Sequence, residues 1–175
     1  LSRAHISSIH GFCSYVIRAH CLALQLPLSM AILDEQDRVY FFRMAIKESL
    51  ARFAEENNPD LKAYMTSFSL QRLSQDLERL FYKRATFQKH YDQLKHKSSL
   101  SDEERFICTL GALFDATYAT FTALKERLSL LDYDDLFDQF KRLLSNPAIR
   151  AELQQQFRYI MVDECQDVDP EKWEC

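Results

Sequence analysis

The sequence is poor in glycine: it contains only Gly11 and Gly111 among 175 residues. An average usage of about 7% would supply roughly twelve. Because the two glycines stand alone, neither a GxGxxG loop nor a GxxxxGK[ST] loop can be formed from them. The residues present therefore exclude a Gly-rich phosphate cradle, and any nucleotide chemistry here has to proceed without one.

The composition also disfavours disulfides, membrane spans and disorder. The five cysteines are odd in number and lack CxxC spacing, which favours reduced thiols in a cytoplasmic protein. No uninterrupted apolar stretch approaches the ~18 residues that a membrane span needs, so we expect no membrane partner. With 47% hydrophobic residues, the chain is not a disordered tail. It begins without methionine or a signal-peptide pattern, so both ends are expected to be cut from a longer protein.

Helical patterns run through almost the whole chain, so the predicted fold class is mostly α. Asp34, the capping box Ser101/Glu104, Asp132 and the pair Asn146-Pro147 mark helix starts. The two longest predicted helices are joined by a short polar loop and should fold back as a long antiparallel hairpin. The predicted helices span about 9–24, 36–56, 59–67, 69–95, 102–127, 133–144 and 147–156.

Strand character is confined to two segments. Residues 4–8 carry a weak signal, whereas Phe157–Val162 is a near-continuous apolar run typical of a buried parallel strand. A parallel strand needs neighbours joined by crossovers, and this chain offers almost none. Most of the sheet to which 157–162 would belong is therefore expected to be absent from these residues.

The most specific chemical signal follows that predicted strand, where Asp163 and Glu164 stand at its carboxyl end. Ligands of open α/β sheets bind at this edge. Asp163 suits a magnesium ion held largely through water, and Glu164 suits polarising the water that attacks a γ-phosphate. Gln166 both donates and accepts hydrogen bonds, which suits sensing a terminal phosphate. A strand that merely ends in an acidic turn is the alternative, and the added Gln166-Asp167 pair argues against it.

Three motifs, in order along the chain, carry a family resemblance. The string VDECQDVDPEKWE from Val162 resembles motif II (VDExQD) of the UvrD/Rep-type superfamily 1 helicases, and its last residues are most similar to the RecB/AddA branch. Residues 6–13, ISSIHGFC, resemble that branch's ISTIHGFC motif. Between them, LDYDDL at 131–136 resembles the family's LDFDDLL segment, and the start of the second helix at 32–35 is similar too.

The resemblance implies an architecture and an activity. It implies a helical 1B subdomain at 15–156, with the long hairpin, flanked by remnants of a RecA-like domain at 1–14 and 157–175 that contribute one or two strand remnants. The parent would be an ATP- and Mg²⁺-dependent 3'-to-5' DNA helicase of repair or recombination. Without a P-loop, these residues alone are expected to bind no cofactor and to hydrolyse no ATP.

The resemblance also assigns residues and partners. Asp163 would hold magnesium, Glu164 would be the catalytic base, and Gln166 and Asp167 would couple hydrolysis to movement. The residues expected beside single-stranded DNA are Ser8, His10 and Phe12. The implied partners are single-stranded and duplex DNA at the fork, the remaining helicase domains of the same chain, and a nuclease or helicase partner subunit.

A basic stretch lies in the distal half of the predicted hairpin. It comprises Lys83, Arg84, Lys89, Lys95, His96 and Lys97. The net charge of −4 does not indicate nucleic acid, but a local basic face can lie within an acidic total. A solvated helix face is one interpretation. Contact with duplex phosphates is the other, and it assigns DNA binding to Lys83, Arg84, Lys95 and Lys97.

Three alternative interpretations compete with these assignments. A metal site on one helical face at His10, Cys13 and His20 is disfavoured because the histidines lie about 15 Å apart along a helix. A nuclease cluster in the acidic LDYDDL segment is disfavoured because its aspartates suit a cap and a first helical turn. For the whole chain, a stand-alone helical module that docks a partner helix is the alternative to a helicase.

Overall fold

The computed structural model describes residues 5–163, and over this range the chain is mostly α, as predicted. Its two short strands pair in parallel. The helices are α1 (Ile9–Ala19), α2 (Glu35–Glu55), α3 (Pro59–Met65), α4 (Leu70–Tyr82), α5 (Arg84–Lys95), α6 (Asp102–Leu128), α7 (Tyr133–Leu144) and α8 (Pro147–Gln156). The strands are β1 (Ala31–Ile32) and β2 (Leu130–Leu131).

The described residues form two compact units, each with its own core. Helices α2 to α6 form the first, Glu35–Leu128, which we term the bundle unit. The described parts of 1–34 and 129–175 form the second, the flanking unit, with α1, α7, α8 and both strands. The boundaries that the sequence suggests after residues 14 and 156 refer to domains of the parent protein and stay predictions.

Local caps explain why the predicted helix starts are correct. Ser101 and Glu104 form the expected reciprocal pair: the Ser101 N–H donates to Glu104 at 2.9 Å, and the Glu104 N–H donates to Ser101 Oγ at 3.3 Å. The Asn146 side chain accepts from Ala148 N at 3.0 Å and so caps α8. Each pairing satisfies backbone donors that the first helical turn leaves without a partner.

Helix α6 is the centre of the bundle unit and packs against α2, α3, α4 and α5. Phe42 of α2 stacks on Phe81 of α4 at 3.9 Å and meets Phe121 of α6 edge-on at 5.6 Å. All three rings are buried within 2% relative exposure. These aromatic contacts join three helices in one apolar core, which is how amphipathic helices bury their apolar stripes.

The predicted antiparallel hairpin is confirmed by the order of contacts between α5 and α6. Arg84 contacts Tyr118, and farther along α5 Phe87 contacts Phe114 at 6.0 Å. Still farther, the Tyr91 ring lies against Gly111. The partner number falls as the α5 number rises, so the two helices run in opposite directions.

The predicted helix 69–95 is wrong in one respect: it is broken at Lys83. That residue has φ −113° and ψ 22°, and it separates α4 from α5. Phe81 and Phe87 are six residues apart, so in one continuous helix they would point roughly 120° apart. The break changes the helical phase and lets both rings face α6, with contacts Phe81–Phe121 and Phe87–Phe114.

The two predicted strands are also wrong for the described residues. Neither 5–8 nor 157–162 forms a strand, and Tyr159 and Met161 are 90% and 96% exposed rather than buried. The small sheet lies elsewhere, with Ala31 opposite Leu130 and Ile32 opposite Leu131. A strand is stabilised by a hydrogen-bonded neighbour, and residues 5–163 provide none for 157–162. Helix α1 also ends earlier than predicted, at Ala19.

Of the described helices, α6 is the one long and apolar enough, by length and composition, to cross a membrane. Its apolar side chains, among them Leu113, Phe114 and Phe121, are buried in the core of the bundle unit. This burial is what the central helix of a helical bundle shows. We therefore still expect no membrane partner.

Candidate functional site

Ser8 marks the start of α1 in the segment expected to contact DNA. Its Oγ accepts a hydrogen bond from the Gly11 N–H at 3.1 Å, and its carbonyl accepts from the Phe12 N–H at 2.9 Å. Ser8 is therefore the N-cap, and its hydroxyl satisfies a backbone donor of the first turn. His10 and Phe12 lie in that same turn, so the three candidate residues share one end of α1.

His10 lies against two aromatic rings of α7. Its imidazole is 4.3 Å from the Tyr133 ring at an angle of 36°, and 5.3 Å from the Phe137 ring, edge-on at 65°. Below this contact, Cys13, Val16 and Ile17 of α1 are buried in the core of the flanking unit. The imidazole is therefore fixed by a packed helix pair.

Phe12 occupies an aromatic cluster at the other side of the same turn. Its ring is 5.9 Å from Phe140 of α7 and 5.0 Å from Phe157, the C-cap residue of α8. His5 lies 5.8 Å from Phe12 and 4.6 Å from Tyr15. The structure therefore brings the N-terminal motif next to the start of the segment that leads to Asp163.

The expected nucleotide residues are described only in part. Asp163 is exposed, and so are residues 158–162 before it. Glu164, Gln166 and Asp167 lie outside the described residues. Their roles stay predictions, as do those of Ser8, His10 and Phe12 toward DNA.

The aspartates of the LDYDDL segment have structural roles. Asp132 is fully buried and is the N-cap of α7. Its side chain accepts from the Asp135 N–H at 3.0 Å, and the Asp135 side chain accepts from the Asp132 N–H at 2.8 Å. This capping box supports the interpretation of these acids as helix-start residues. Across residues 5–163 no group of three or more metal-binding side chains occurs.

Two lysines of the basic stretch are engaged in ion pairs within the bundle unit. Lys95 Nζ lies 3.1 Å from Asp115 and 3.3 Å from Asp92, over the Tyr91 ring at 4.0 Å. Burial by itself opposes the charged form of Lys95, but the hydrogen bond and charge of Asp115 outweigh it and raise the pKa of the ammonium group. Lys97 also forms an ion pair, since its Nζ lies 2.7 Å from Glu104.

Arg84 is likewise held inside the hairpin. Its guanidinium lies over the Tyr118 ring at 4.0 Å and donates a hydrogen bond to the Tyr118 hydroxyl. The Lys97 hydrogen bond is also the main reason that the pKa of Glu104 lies below its ordinary value. Of the four DNA candidates in the basic stretch, Lys83 alone is exposed and has no ion pair in the described part of the chain.

The solvent face of α5 carries Lys89 and His90, away from the lysines that form ion pairs. Residues at helical spacing on this side are exposed and include no carboxylate; they are Thr86, Lys89, His90 and Gln93. Asp92, by contrast, faces Lys95 and Gln88. On a helical wheel drawn for α5 alone, Lys89 and His90 lie on a different side of the helix from Lys95, which forms ion pairs.

Comparison with known proteins gives a family. A model of the family described as UvrD/REP helicase N-terminal domain matches residues 1–175. No curated protein matches the chain, and no solved structure does.

Proposed function

The chain belongs to the UvrD/REP helicase N-terminal domain family, and on that premise we propose that it is the 1B region, with flanking RecA-like pieces, of a RecB/AddA-like helicase. Family membership makes the parent an ATP-dependent DNA helicase that uses Mg²⁺. The finer proposal is 3'-to-5' movement in cytoplasmic DNA repair or recombination. The observation that carries it is the family match over the full chain, together with the branch-like residues at 6–13 and 162–174.

The nucleotide chemistry is proposed for the segment after 157–162. The donor set fits magnesium, because carboxylate oxygens are ligands that this hard cation takes, and the exposed Asp163 leaves room for bridging water. Bound magnesium would neutralise charge on the β- and γ-phosphates. Glu164 would accept a proton from the attacking water, and Gln166 and Asp167 would transmit the state of the terminal phosphate. The P-loop has to come from other residues of the parent, so the 175 residues alone hydrolyse no ATP.

The DNA side of the proposal rests on the first turn of α1. Ser8, His10 and Phe12 lie together there, and Phe12 touches Phe157, the residue from which the chain leads on to the proposed nucleotide segment. The rest of the helicase chain and DNA at the fork are the proposed partners, and a nuclease or helicase subunit is a further one. No observation favours the stand-alone interaction module.

Unwinding of tailed duplexes by the intact helicase tests this function. We expect ATP- and Mg²⁺-dependent strand separation from a duplex with a 3' single-stranded tail, and none from the same duplex with a 5' tail. Reactions without Mg²⁺ are the control. Unwinding from the 5' tail alone would contradict the polarity, and no unwinding from either tail would contradict the function.

Duplex binding by the basic stretch predicts a difference between two lysine pairs. Changing Lys83 and Lys89 together to glutamine should reduce the slope of log binding constant against log salt by about 1–2. Each lysine–phosphate contact that is lost lowers the number of counterions that the DNA releases on binding. Changing Lys95 and Lys97 to glutamine should alter the slope less, because these side chains already pair with Asp115 and Glu104.

The measurement is duplex affinity of the intact helicase over a salt series. The two double variants remove the same charge, so each is the control for the other. An equal loss of slope in both would show that the internal ion pairs open on binding. Unchanged slopes in both would refute duplex contact by this helix.

A further inference from the structure

The LDYDDLF segment at 131–137 has no role in the proposed chemistry, yet it is held firmly at its start. Leu131 lies in β2 opposite Ile32. Asp132 is fully buried, and its capping box with Asp135 fixes the first turn of α7. The acids of the segment therefore determine where α7 begins, which sets the direction of the side chains that follow.

Two aromatic residues of this segment share the face that meets α1. Tyr133 and Phe137 are four residues apart on α7, so they lie one above the other on one side of the helix. Both rings contact His10, at 4.3 Å and 5.3 Å. The imidazole is thus in contact with both rings, one tilted against it and one edge-on.

The contact is supported by the packing of the two helices. Leu136 and Phe140 of α7 are buried in the same core as Val16 and Ile17 of α1. This core prevents α1 from turning about its axis, and the two rings restrict the side chain of His10. A side chain whose rotamer is already restricted loses less conformational entropy when it binds a ligand.

We propose that Tyr133 and Phe137 are positioning residues, which hold the His10 imidazole in its orientation for single-stranded DNA. The inference rests on the proposed function, because it takes the first turn of α1 as a DNA contact. The proposal assigns a role to the LDYDDLF segment: its acids determine where α7 begins, and its two rings hold the His10 imidazole in place.

DNA activation of ATP hydrolysis by the intact helicase provides the test. In Tyr133→Leu, we expect the concentration of single-stranded DNA that gives half-maximal ATPase to rise about fivefold, since an aromatic pair contributes about 1 kcal/mol. The maximal rate at saturating DNA should be retained. Tyr133→Phe keeps the ring and should restore the wild-type value. Tyr40→Leu removes a 59% exposed tyrosine ring from α2 and is the matched control.

A spectroscopic readout separates positioning from loss of folding. In helicase labelled with ¹³C at the histidine rings, the His10 signal is identified by its loss in His10→Gln. Ring currents of Tyr133 act on that signal, so it should move in Tyr133→Leu while the other histidine signals stay in place. Movement of the signal together with the fivefold change supports the proposal.

Three results would overturn the proposal. A moved His10 signal with unchanged DNA activation would show that the orientation of His10 does not matter, while the proposed function would stand. The same weakening in Tyr133→Phe would show that the ring is not the cause. Unchanged DNA activation in His10→Gln would refute the DNA role of this turn itself, and the inference with it.

Discussion

Alanine at position 111 is expected to lower the free energy of unfolding of the bundle unit by about 1–3 kcal/mol, the range for overpacked cores. In an ordinary helix the same change raises stability by roughly 0.5–1 kcal/mol, so the predicted sign is reversed. A Cβ on Gly111 would lie 2.5–2.6 Å from three ring atoms of Tyr91. The Tyr91 ring is buried and stacks on Phe87 at 5.7 Å, so it has little room to move.

Urea unfolding of the chain, followed by circular dichroism and by hydrogen exchange in α5 and α6, measures this effect. Hydrogen exchange is needed because a chain of two units need not unfold in a single step. Gly11→Ala is the matched control, since the nearest atoms to its Cβ would be side-chain atoms of Ser7 and Ser8 at 3.2–3.8 Å. Combining Gly111→Ala with Tyr91→Leu should recover part of the loss. Wild-type or higher stability in Gly111→Ala alone would contradict the close contact.

The second large effect concerns the proposed catalytic base. In the intact helicase, Glu164→Gln should reduce DNA-stimulated ATP hydrolysis by about 10²- to 10⁴-fold, the usual contribution of a positioned general base. The amide cannot accept the proton from the attacking water, although it keeps the size of the side chain. DNA binding in the absence of ATP should be unaffected, because the change leaves the first turn of α1 intact.

Steady-state ATPase assays at saturating single-stranded DNA measure this change. Glu174→Gln makes the same substitution ten residues farther along the chain, outside the VDExQD string, and is expected to behave as wild type. A loss of less than tenfold in Glu164→Gln would remove Glu164 from the role of base. An equal loss in Glu174→Gln would point to a general disturbance of the segment.

The helices could be predicted from the sequence because their signals are local. The caps at Ser101, Asp132 and Asn146 involve partners within three residues, so the pattern of nearby residues contains them. The break at Lys83 is harder to predict. The break allows Phe81 and Phe87 both to face α6. This requirement becomes visible only when α4, α5 and α6 are packed together.

The strands and the state of the basic stretch depend on contacts distant in sequence. β1 pairs with β2 across about a hundred residues, and neither two-residue strand has a pattern of its own. Lys95 is paired with Asp115, twenty residues away, so a count of charges in the stretch overestimates the cations available to DNA. The His10–Tyr133 contact also joins residues that are distant in sequence. Each residue belongs to a recognisable motif, but neither motif indicates that the two are in contact.

The division into two units has a consequence for the order of folding. The bundle unit is one continuous stretch, Glu35–Leu128, so all of its contacts are made within that stretch. The flanking unit is assembled from segments on both sides of that stretch, so its strand pair has to close a loop as long as the whole bundle. Loop closure becomes less favourable with length, and non-local contacts slow folding. If the bundle forms first, the loop that β1 and β2 have to close is already shortened, so we expect the flanking unit to complete its fold after the bundle.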